Sequence, residues 1–373
     1  MYVSFNDGTS WQPLQLNLPR TPITDILIYR DDLILTTQGR GFWILENMGP
    51  LRTVTPGAAP AAMLFKPEMA YRQGAQLPAF YYWFREAPTA PVTVEVSDVK
   101  GAVLFTTTAQ PGAAAGAGAP GGAPGGGGRG GGGGGGGRGG GAGAGPGGTA
   151  SAVAGMNRAT WTNVRYPSLY TVPPGVVMWG GGAGTGQGPK VPPGEYRVKV
   201  SSGSWSETQT FRLGTDPQAT PVMTPAEGAE QLRLANEVGG MIKELYASVA
   251  SIRDARRQLE TIGKSSEAAA VQPAAKTLRA SLDAAEGDLT QMQGEGGQDS
   301  LNFPGRLDNQ LIVLYQSITG TERRLGTPQL ERYKDLKPPA DKMLATARLT
   351  LTKDVAAFNA AASKAGAGTI TVK

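Results

Sequence analysis

The chain of 373 residues contains no cysteine and no histidine. Without cysteine it can form no disulfide, no thiolate metal site and no thiol nucleophile. Without histidine it lacks the commonest general base, the commonest metal ligand and every Ser-His or Cys-His catalytic pair. An enzyme built from this sequence would depend on carboxylates, lysine, tyrosine or arginine. We therefore expect no metal and no cofactor.

Long apolar runs and a strong charge are also missing. No segment approaches the roughly 20 apolar residues of a membrane helix, so we expect no membrane span. The N-terminus lacks the basic and apolar regions of a signal peptide, so the chain as written is expected to remain in the cytoplasm. The formal charge of +5, from 35 basic and 30 acidic residues, is small for this length. It gives no reason to expect a nucleic acid or an anionic membrane as partner.

Glycine and proline, by contrast, are abundant and unevenly placed, with 55 and 28 residues. Residues 111–149 consist almost wholly of glycine and alanine, which offer little side chain for a core. We predict a disordered loop there, inserted into a β domain. Arg129 and Arg138 in this tract raise the alternative of an RGG-like RNA-binding segment. Because no aromatic residue is interleaved with them, we favour the loop.

Residues 1–55 have β character throughout. SFNDGTSW, residues 4–11, is typical of a hairpin turn, in which Asn6 supplies side-chain hydrogen bonds and Gly8 tolerates a positive φ. Short apolar runs separated by polar turn residues follow it. These runs span residues 23–29, 33–37 and 41–45. A meander of this size cannot bury two faces by itself, so we expect it to pack on neighbouring sheets as propeller blades do.

Two stretches of this segment resemble a known family. SFNDGTSW resembles an Asp-box, the Ser-x-Asp-x-Gly-x-Thr-Trp turn of bacterial neuraminidase-type repeats, with asparagine where aspartate is usual. The corresponding positions are Ser4, Asn6, Gly8, Ser10 and Trp11. DDLILTTQGRGFWILENMGPLR, residues 31–52, is similar to the closing blade of bacterial sortilin-like, BNR-repeat β-propeller proteins, which are often labelled glycosyl hydrolases. Those proteins commonly have histidine where this chain has Gln38.

The resemblance implies that residues 1–55 are the last one to one-and-a-half blades of a propeller whose other blades are absent. The chain would then be the C-terminal part of a longer protein, and the missing blades or another chain would be its protein partner. The family is expected to be secreted or periplasmic. In an Asp-box the polar side chains hold the hairpin and the tryptophan fills the space between blade strands, so the five positions are given a structural role.

A Pro- and Ala-rich linker at residues 56–75 leads into a second β region at residues 76–216. Its candidate strands alternate apolar and polar residues, as in VTVEVSD at 92–98, which is typical of half-buried sandwich strands. VPPGEYRVKVSSGSWSETQTFRL, residues 191–213, resembles the Ig-like module that follows the propeller in the same family. We therefore predict an Ig-like β-sandwich that carries the Gly-rich tract as an insertion.

Residues 224–362 favour an antiparallel helical bundle, followed by a tail at 363–373. TPAE at Thr224 is a capping box that starts a helix. Apolar residues then recur at helical spacing over four segments with short connections, the last of which should be interrupted at Pro338-Pro339. GQDSLNFPGRLDNQL also resembles the helical region of the same family. The predicted fold class is multi-domain β plus α, with a partial propeller blade, an Ig-like β-sandwich and an antiparallel helical bundle.

Carboxylates of the N-terminal segment could in principle serve a glycosidase, which needs two facing carboxyl groups about 5 to 9.5 Å apart. The candidates are Asp25, Asp31, Asp32 and Glu46. Asp31 and Asp32 belong to a predicted turn, and a sialidase-type site also needs arginines from several other blades. We therefore predict no catalytic residue and no enzymatic activity for this chain alone.

The aromatic run FYYWF, residues 80–84, is the candidate binding feature. Because side chains alternate along a strand, Phe80, Tyr82 and Phe84 should share the core face while Tyr81 and Trp83 share the other. That second pair could stack against a carbohydrate ring. Two functions remain open. We favour a non-catalytic scaffolding or protein-interaction region, and the alternative is the accessory region of a secreted glycoside hydrolase of sialidase or glucanase type.

Overall fold

A computed structural model describes residues 1–53, 59–74, 76–114, 148–176, 186–293 and 302–372. The protein is mixed β and α, with 37% of its residues helical and 24% in strands, and it includes a sheet curled into half a barrel. The predicted combination of β and α structure is confirmed at this level. Apart from its two ends, the loop predicted at residues 111–149 lies outside the described residues. Within the described part, no helix is long and apolar enough to cross a membrane.

The first 53 residues form two small antiparallel sheets. Strands β1 (Tyr2–Val3) and β2 (Gln12–Pro13) pair across the SFNDGTSW turn. A meander and a short helix follow, namely β3 (Ile23–Tyr29), β4 (Asp32–Thr37), β5 (Gly41–Leu45) and α1 (Gly49–Thr53). In the meander, β4 lies between β3 and β5. The three strands coincide with the predicted apolar runs, so these runs and the turn residues between them located the strands correctly.

Two further sheets form what we call the two-sheet module. Its strands are β6 (Ala62–Leu64), β7 (Ala70–Tyr71), β8 (Ala79–Phe84), β9 (Val92–Asp98), β10 (Val103–Ala109), β11 (Gly148–Thr149), β12 (Gly155–Trp161), β13 (Gly194–Ser202) and β14 (Trp205–Gly214). One sheet has the order β10-β9-β13-β14-β7 and the other the order β11-β12-β8-β6. The described strand pairs are antiparallel except for β14 with β7.

The two sheets share one hydrophobic core. Val92, Val94 and Val96 of β9 are fully buried and alternate with half-buried residues, as predicted. Across the core, Phe105 of β10 stacks on Trp161 of β12 with ring centroids 5.7 Å apart. The alternation therefore identified correctly which face of β9 is buried.

Strands β6 and β7 lie within the segment predicted as a linker, residues 56–75. β6 pairs with β8 at the edge of one sheet, and β7 pairs with β14 at the edge of the other. Both strands are too short to show a period of two, and their partners are distant in sequence. Part of the predicted linker therefore belongs to the two-sheet module.

The helical region has one continuous core, which also includes Tyr170 from the segment between β12 and β13. Its helices are α2 (Pro225–Ile262), α3 (Ala268–Leu289), α4 (Leu307–Gly320), α5 (Thr327–Leu349) and α6 (Val355–Lys364), with a π-helical turn at Thr350–Asp354. The predicted capping box is present at the start of α2. The Thr224 N–H donates to the Glu227 carboxylate at 2.8 Å, and the Thr224 hydroxyl accepts from the Glu227 N–H at 3.2 Å.

The interruption predicted at Pro338-Pro339 was wrong, because α5 runs through both prolines as one helix. Each proline removes a helical N–H and so leaves the carbonyl four residues earlier, at Lys334 and Asp335, without its usual donor. Both prolines are exposed, so water can hydrate these carbonyls. Leu336 and Ala340, on either side of the two prolines in sequence, are buried in the helical core and hold the segment in place.

A buried ion cluster joins the two-sheet module to the helices. Glu322, in the connection between α4 and α5, accepts from Arg72 Nε at 2.9 Å and from Lys190 Nζ at 2.5 Å. The Arg72 and Lys190 side chains are almost completely buried. Because buried charges must be paired, this cluster fixes the contact between the two regions.

Candidate functional site

The three-stranded sheet of β3, β4 and β5 exposes large apolar side chains on both of its faces. The strand register places Leu27, Ile34 and Ile44 on one face, and Ile26, Leu35 and Trp43 on the other. Leu33 and Leu35 on the central strand are buried. The side chains that remain more than half exposed are Ile26, Leu27, Ile28, Tyr29, Phe42 and Ile44. Neither hydrophobic core of the described residues includes a residue of this sheet.

The outer strands of this sheet each pair on one side only, with β4. Within the described ranges, the other edges of β3 and β5 have no strand partner. Such an edge presents unpaired backbone N–H and C=O groups to any polypeptide that can add a strand. Free edges together with contiguous exposed apolar side chains are typical of an interaction surface.

Polar contacts attach this sheet to the two-sheet module. Glu46, directly after β5, pairs with Arg158 of β12 at 3.1 Å, and Arg30 donates to Gln76 at 2.8 Å. The Glu46–Arg158 pair is about half exposed to solvent, and exposed pairs contribute only about 0 to 1 kcal/mol. The attachment is therefore weak compared with the burial of apolar residues in the cores.

A cleft of about 270 Å³ lies between the sheet and the module. Tyr81 of β8 forms part of its wall, and the Arg158 guanidinium lies 5.7 Å from the centroid of the Tyr81 ring. Asp32, Glu46 and Glu68 line the same cleft. An aromatic ring beside carboxylates and a guanidinium offers both a stacking surface and hydrogen-bond partners for a polar ligand.

Burial raises the pKa of Glu68, and the charges of Asp31 and Asp32 raise it further, against the opposing effect of Arg52. Burial also raises the pKa of Tyr81. Both shifts stabilise the neutral form of the group relative to its charged form. In the part of the chain that the structure describes, no group of three or more carboxylates is arranged to hold a metal ion.

Residues 4–11, which the sequence analysis compared with an Asp-box, form a hydrogen-bonded turn. Ser4 Oγ accepts from the Gly8 N–H at 2.7 Å, and Asn6 Oδ1 accepts from the Ser10 N–H at 2.9 Å. Asn6 also donates from Nδ2 to Ser10 Oγ at 2.9 Å, so the asparagine adds a donor that aspartate would lack. Gly8 adopts a φ of +85°. The polar groups of this turn are thus engaged within the turn itself.

Trp11 does not fill a space between strands, contrary to its expected role in the turn. Its side chain is 62% exposed and lies beside Gly8, where an added Cβ would be 3.7 Å from the indole ring. The reason is that β1 and β2 pair only with each other among the described strands. The tryptophan therefore has no second sheet against which to pack.

The other candidate carboxylates each make a local contact. Asp25 accepts from the Ile26 N–H at 2.9 Å, and Asp32 accepts from the Asn47 N–H at 2.9 Å. Asp31 pairs with Arg52 at 2.5 Å. These contacts give the three aspartates structural roles in the turns of the sheet. Asp32 and Glu46 nevertheless share the wall of the cleft.

Of the predicted stacking pair, Tyr81 lines the cleft and Trp83 does not. Trp83 is half-buried, and its indole N–H is buried without an acceptor among the described residues. Sequence reasoning missed Arg158 and Glu68. The register between β12 and β8 places Arg158 opposite Tyr81, and no local pattern marks a cross-strand neighbour so far away in sequence.

Comparison with known proteins adds no relative. No protein-family model matches the chain, and a search of the curated proteins finds no match. The resemblance to BNR-repeat proteins therefore depends on the motifs quoted from residues 4–11, 31–52 and 191–213 and from the helical region.

Proposed function

We propose that the chain is a non-catalytic interaction region of a BNR-repeat, sortilin-like propeller protein. In this proposal residues 1–55 are a blade remnant, 76–216 an Ig-like β-sandwich and 224–362 an antiparallel helical bundle. The observation that carries the proposal is the three-stranded sheet with apolar side chains exposed on both faces. A blade taken from a propeller has this property, because each face of a blade normally packs on a neighbour.

The proposed partner is a polypeptide that carries further propeller blades, from the same protein or from another chain. Two apolar faces favour such a partner over a single peptide, because blades on both sides can cover both faces at once. The free edges of β3 and β5 add the option of main-chain hydrogen bonds to an incoming strand. The sheet is held weakly enough at Glu46 and Arg30 to adjust when it is covered.

Hydrogen exchange on the full chain, with and without a polypeptide of Asp-box blades, tests this interaction. We expect exchange to slow in residues 23–45 and to stay unchanged in β9. The double variant Phe42→Ser with Ile44→Ser should abolish the effect. Val313→Ser, which changes an exposed apolar residue on α4, is the control. Absence of binding, or slowing confined to the helices, would contradict the proposal.

A separate assay tests the absence of catalysis. The purified chain is expected to release no product from chromogenic sialosides or β-glucosides, because no histidine or cysteine is present and the aspartates of the sheet are engaged locally. Turnover that disappears in Asp31→Asn, Asp32→Asn or Glu46→Gln would show a catalytic site and overturn this part of the proposal.

Carbohydrate binding by an accessory region of a secreted glycoside hydrolase is the second candidate function. The observation that favours it is the cleft in which Tyr81 lies beside Glu46, Glu68 and Arg158. Calorimetric titration with β-glucan oligosaccharides and sialyllactose distinguishes the two functions. Saturable binding that is lost in Tyr81→Ala but kept in Tyr2→Ala, an exposed tyrosine elsewhere, would favour the carbohydrate function.

A further inference from the structure

A different cleft lies where the two-sheet module meets α4. It has a volume of about 310 Å³ and shares no residue with the cleft at Tyr81. The side chains that line it are Arg165, Tyr170, Gln187, Tyr315, Gln316 and Thr319. It adjoins the buried ion cluster, because Gly320 both lines the cleft and accepts a hydrogen bond from Lys190 at 3.2 Å.

Positive charge exceeds negative charge beside this cleft. Glu322 pairs with both Arg72 and Lys190. The charge of Arg72 lowers the pKa of Arg165, and the charge of Arg165 lowers the pKa of Lys190. Arg165 donates to the Gly188 carbonyl at 3.0 Å and pairs with no carboxylate among the described residues. Burial lowers the pKa of Arg165, which shows that its charge is partly removed from water. Most of its N–H donors thus remain available beside the cleft.

Two residues on the cleft wall also carry hydroxyl groups that make no hydrogen bond to the described residues. Tyr170 and Thr319 are each 6% exposed, and neither hydroxyl makes a hydrogen bond to the described part of the chain. Tyr315 differs, because its hydroxyl donates to the Gln187 carbonyl at 2.8 Å. Hydroxyls that line an accessible cleft can be satisfied by a ligand that brings acceptors.

We propose that this cleft binds a small organic anion, whose carboxylate or phosphate group accepts hydrogen bonds from Arg165, Tyr170 and Thr319. The guanidinium presents a planar pair of donors that matches either group. Tyr170 and Tyr315 meet edge to face with centroids 5.6 Å apart and supply an aromatic wall for the carbon skeleton. The volume is at the lower end of the range for small-molecule sites. This inference is independent of the proposed interaction with propeller blades.

Titration of the full chain tests the site, with sodium phosphate and sodium benzoate as probes and sodium chloride at equal ionic strength as reference. We expect saturable binding of at least one probe and a rise in melting temperature, since a ligand of the folded state stabilises it. Arg165→Gln should weaken binding at least about tenfold, because hydrogen bonds to charged groups are strong. Arg197→Gln makes the same charge change at an exposed position on β13 and should leave affinity unchanged.

The two probes distinguish a phosphate ligand from a carboxylate ligand. Binding of phosphate alone supports a phosphate ligand, and binding of benzoate alone supports a carboxylate. Tyr170→Phe removes a hydroxyl and Thr319→Val replaces one with a methyl group, and each should weaken binding. These two variants keep the proposal testable if Arg165→Gln does not fold. The proposal is overturned if neither probe binds beyond the chloride reference. It is equally overturned if Tyr170→Phe and Thr319→Val both bind with the affinity of the original chain.

Discussion

The three-stranded sheet and the two-sheet module are built from similar sequence patterns, yet they bury their apolar residues to very different extents. Phe42 of the sheet is 77% exposed, whereas Phe80 of the module is fully buried. Strand propensity does not explain the difference, because strands formed at the predicted positions in both regions. The module has a second sheet that covers its apolar face, whereas in the three-stranded sheet only Leu33 and Leu35 are buried, and no residue of the sheet belongs to either hydrophobic core of the described residues. A periodic pattern therefore specifies a strand, while burial depends on a covering surface.

Truncation of one phenylalanine in each region should give the largest contrast. Phe80→Ala is expected to lower the free energy of unfolding by about 3 to 5 kcal/mol, because it leaves a cavity in a closed core. Phe42→Ala removes an exposed ring and should change it by less than about 0.5 kcal/mol. Urea unfolding followed by tryptophan fluorescence measures both. Equal losses would mean that Phe42 is covered in solution, and the contrast between the regions would fail.

Loss of the Glu322 carboxylate should lower the free energy of unfolding nearly as much as Phe80→Ala does, because Arg72 and Lys190 would remain buried without a counterion. We expect Glu322→Gln to cost about 3 kcal/mol. Burial acts to raise the pKa of Glu322, but the hydrogen bonds and charges of Lys190 and Arg72 lower it overall from 4.5. The stabilisation is therefore present above about pH 4.5 and is lost as the pH falls through the lowered pKa.

The matched control for Glu322 is Glu230→Gln, which breaks an exposed pair with Arg233 on α2. Exposed pairs contribute about 0 to 1 kcal/mol, so the control should lie in that range. Denaturant unfolding at pH 7 and pH 4 compares the two variants. If Glu322→Gln were no more harmful than Glu230→Gln, the cluster would not hold the module and the helices together.

A buried carboxyl group in the helical core should make the stability of the fold depend on pH in the direction opposite to that of Glu322. Burial raises the pKa of Asp308 from 3.8 to about 6. The folded state therefore favours the protonated form, and its contribution to stability is full below about pH 4 and is lost as the pH rises through about 6. A shift of this size corresponds to about 2 to 3 kcal/mol. Asp308→Asn should remove this dependence, whereas Asp288→Asn, at an exposed position on α3, should keep it.

Substitution of two asparagines that hold turns should change stability least. It compares a buried turn of the two-sheet module with an exposed turn of the N-terminal segment. Asn157 accepts from the Val153 N–H at 2.9 Å and is buried in the module, so Asn157→Ala should cost about 1 to 3 kcal/mol. Asn6 holds the exposed turn at residues 4–11, and Asn6→Ala should change global stability by less than about 0.5 kcal/mol. Exchange at the Ser10 N–H should nevertheless accelerate. A large global loss from Asn6→Ala would show that this turn is coupled to a core.

Local signals located much of the secondary structure. The alternation of Val92, Val94 and Val96 predicted the buried face of β9, and Thr224 and Glu227 predicted the start of α2. Each signal depends on neighbours within a few residues, so the sequence contains it directly. The course of α5 through its prolines depended instead on exposure of that side of the helix, which the local pattern does not reveal.

The sites were much less predictable than the strands and helices. Tyr81 could be selected because alternation separates it from Phe80 and Tyr82, but Arg158 reaches its ring only through the pairing of β12 with β8. The cluster of Arg72, Lys190 and Glu322 joins positions that have no common motif. Long-range strand pairing and the docking of helices on sheets create these neighbours, and a single sequence shows neither.

Native-state hydrogen exchange on the full chain is the most direct test of the claim that the three-stranded sheet is an uncovered interaction surface. We predict that the amides of residues 23–45 exchange much faster than those around Val94 and Val198, which lie in the closed core of the module. Equal protection in the two regions would contradict the claim. It would show that the sheet already has a stable covering partner within this chain.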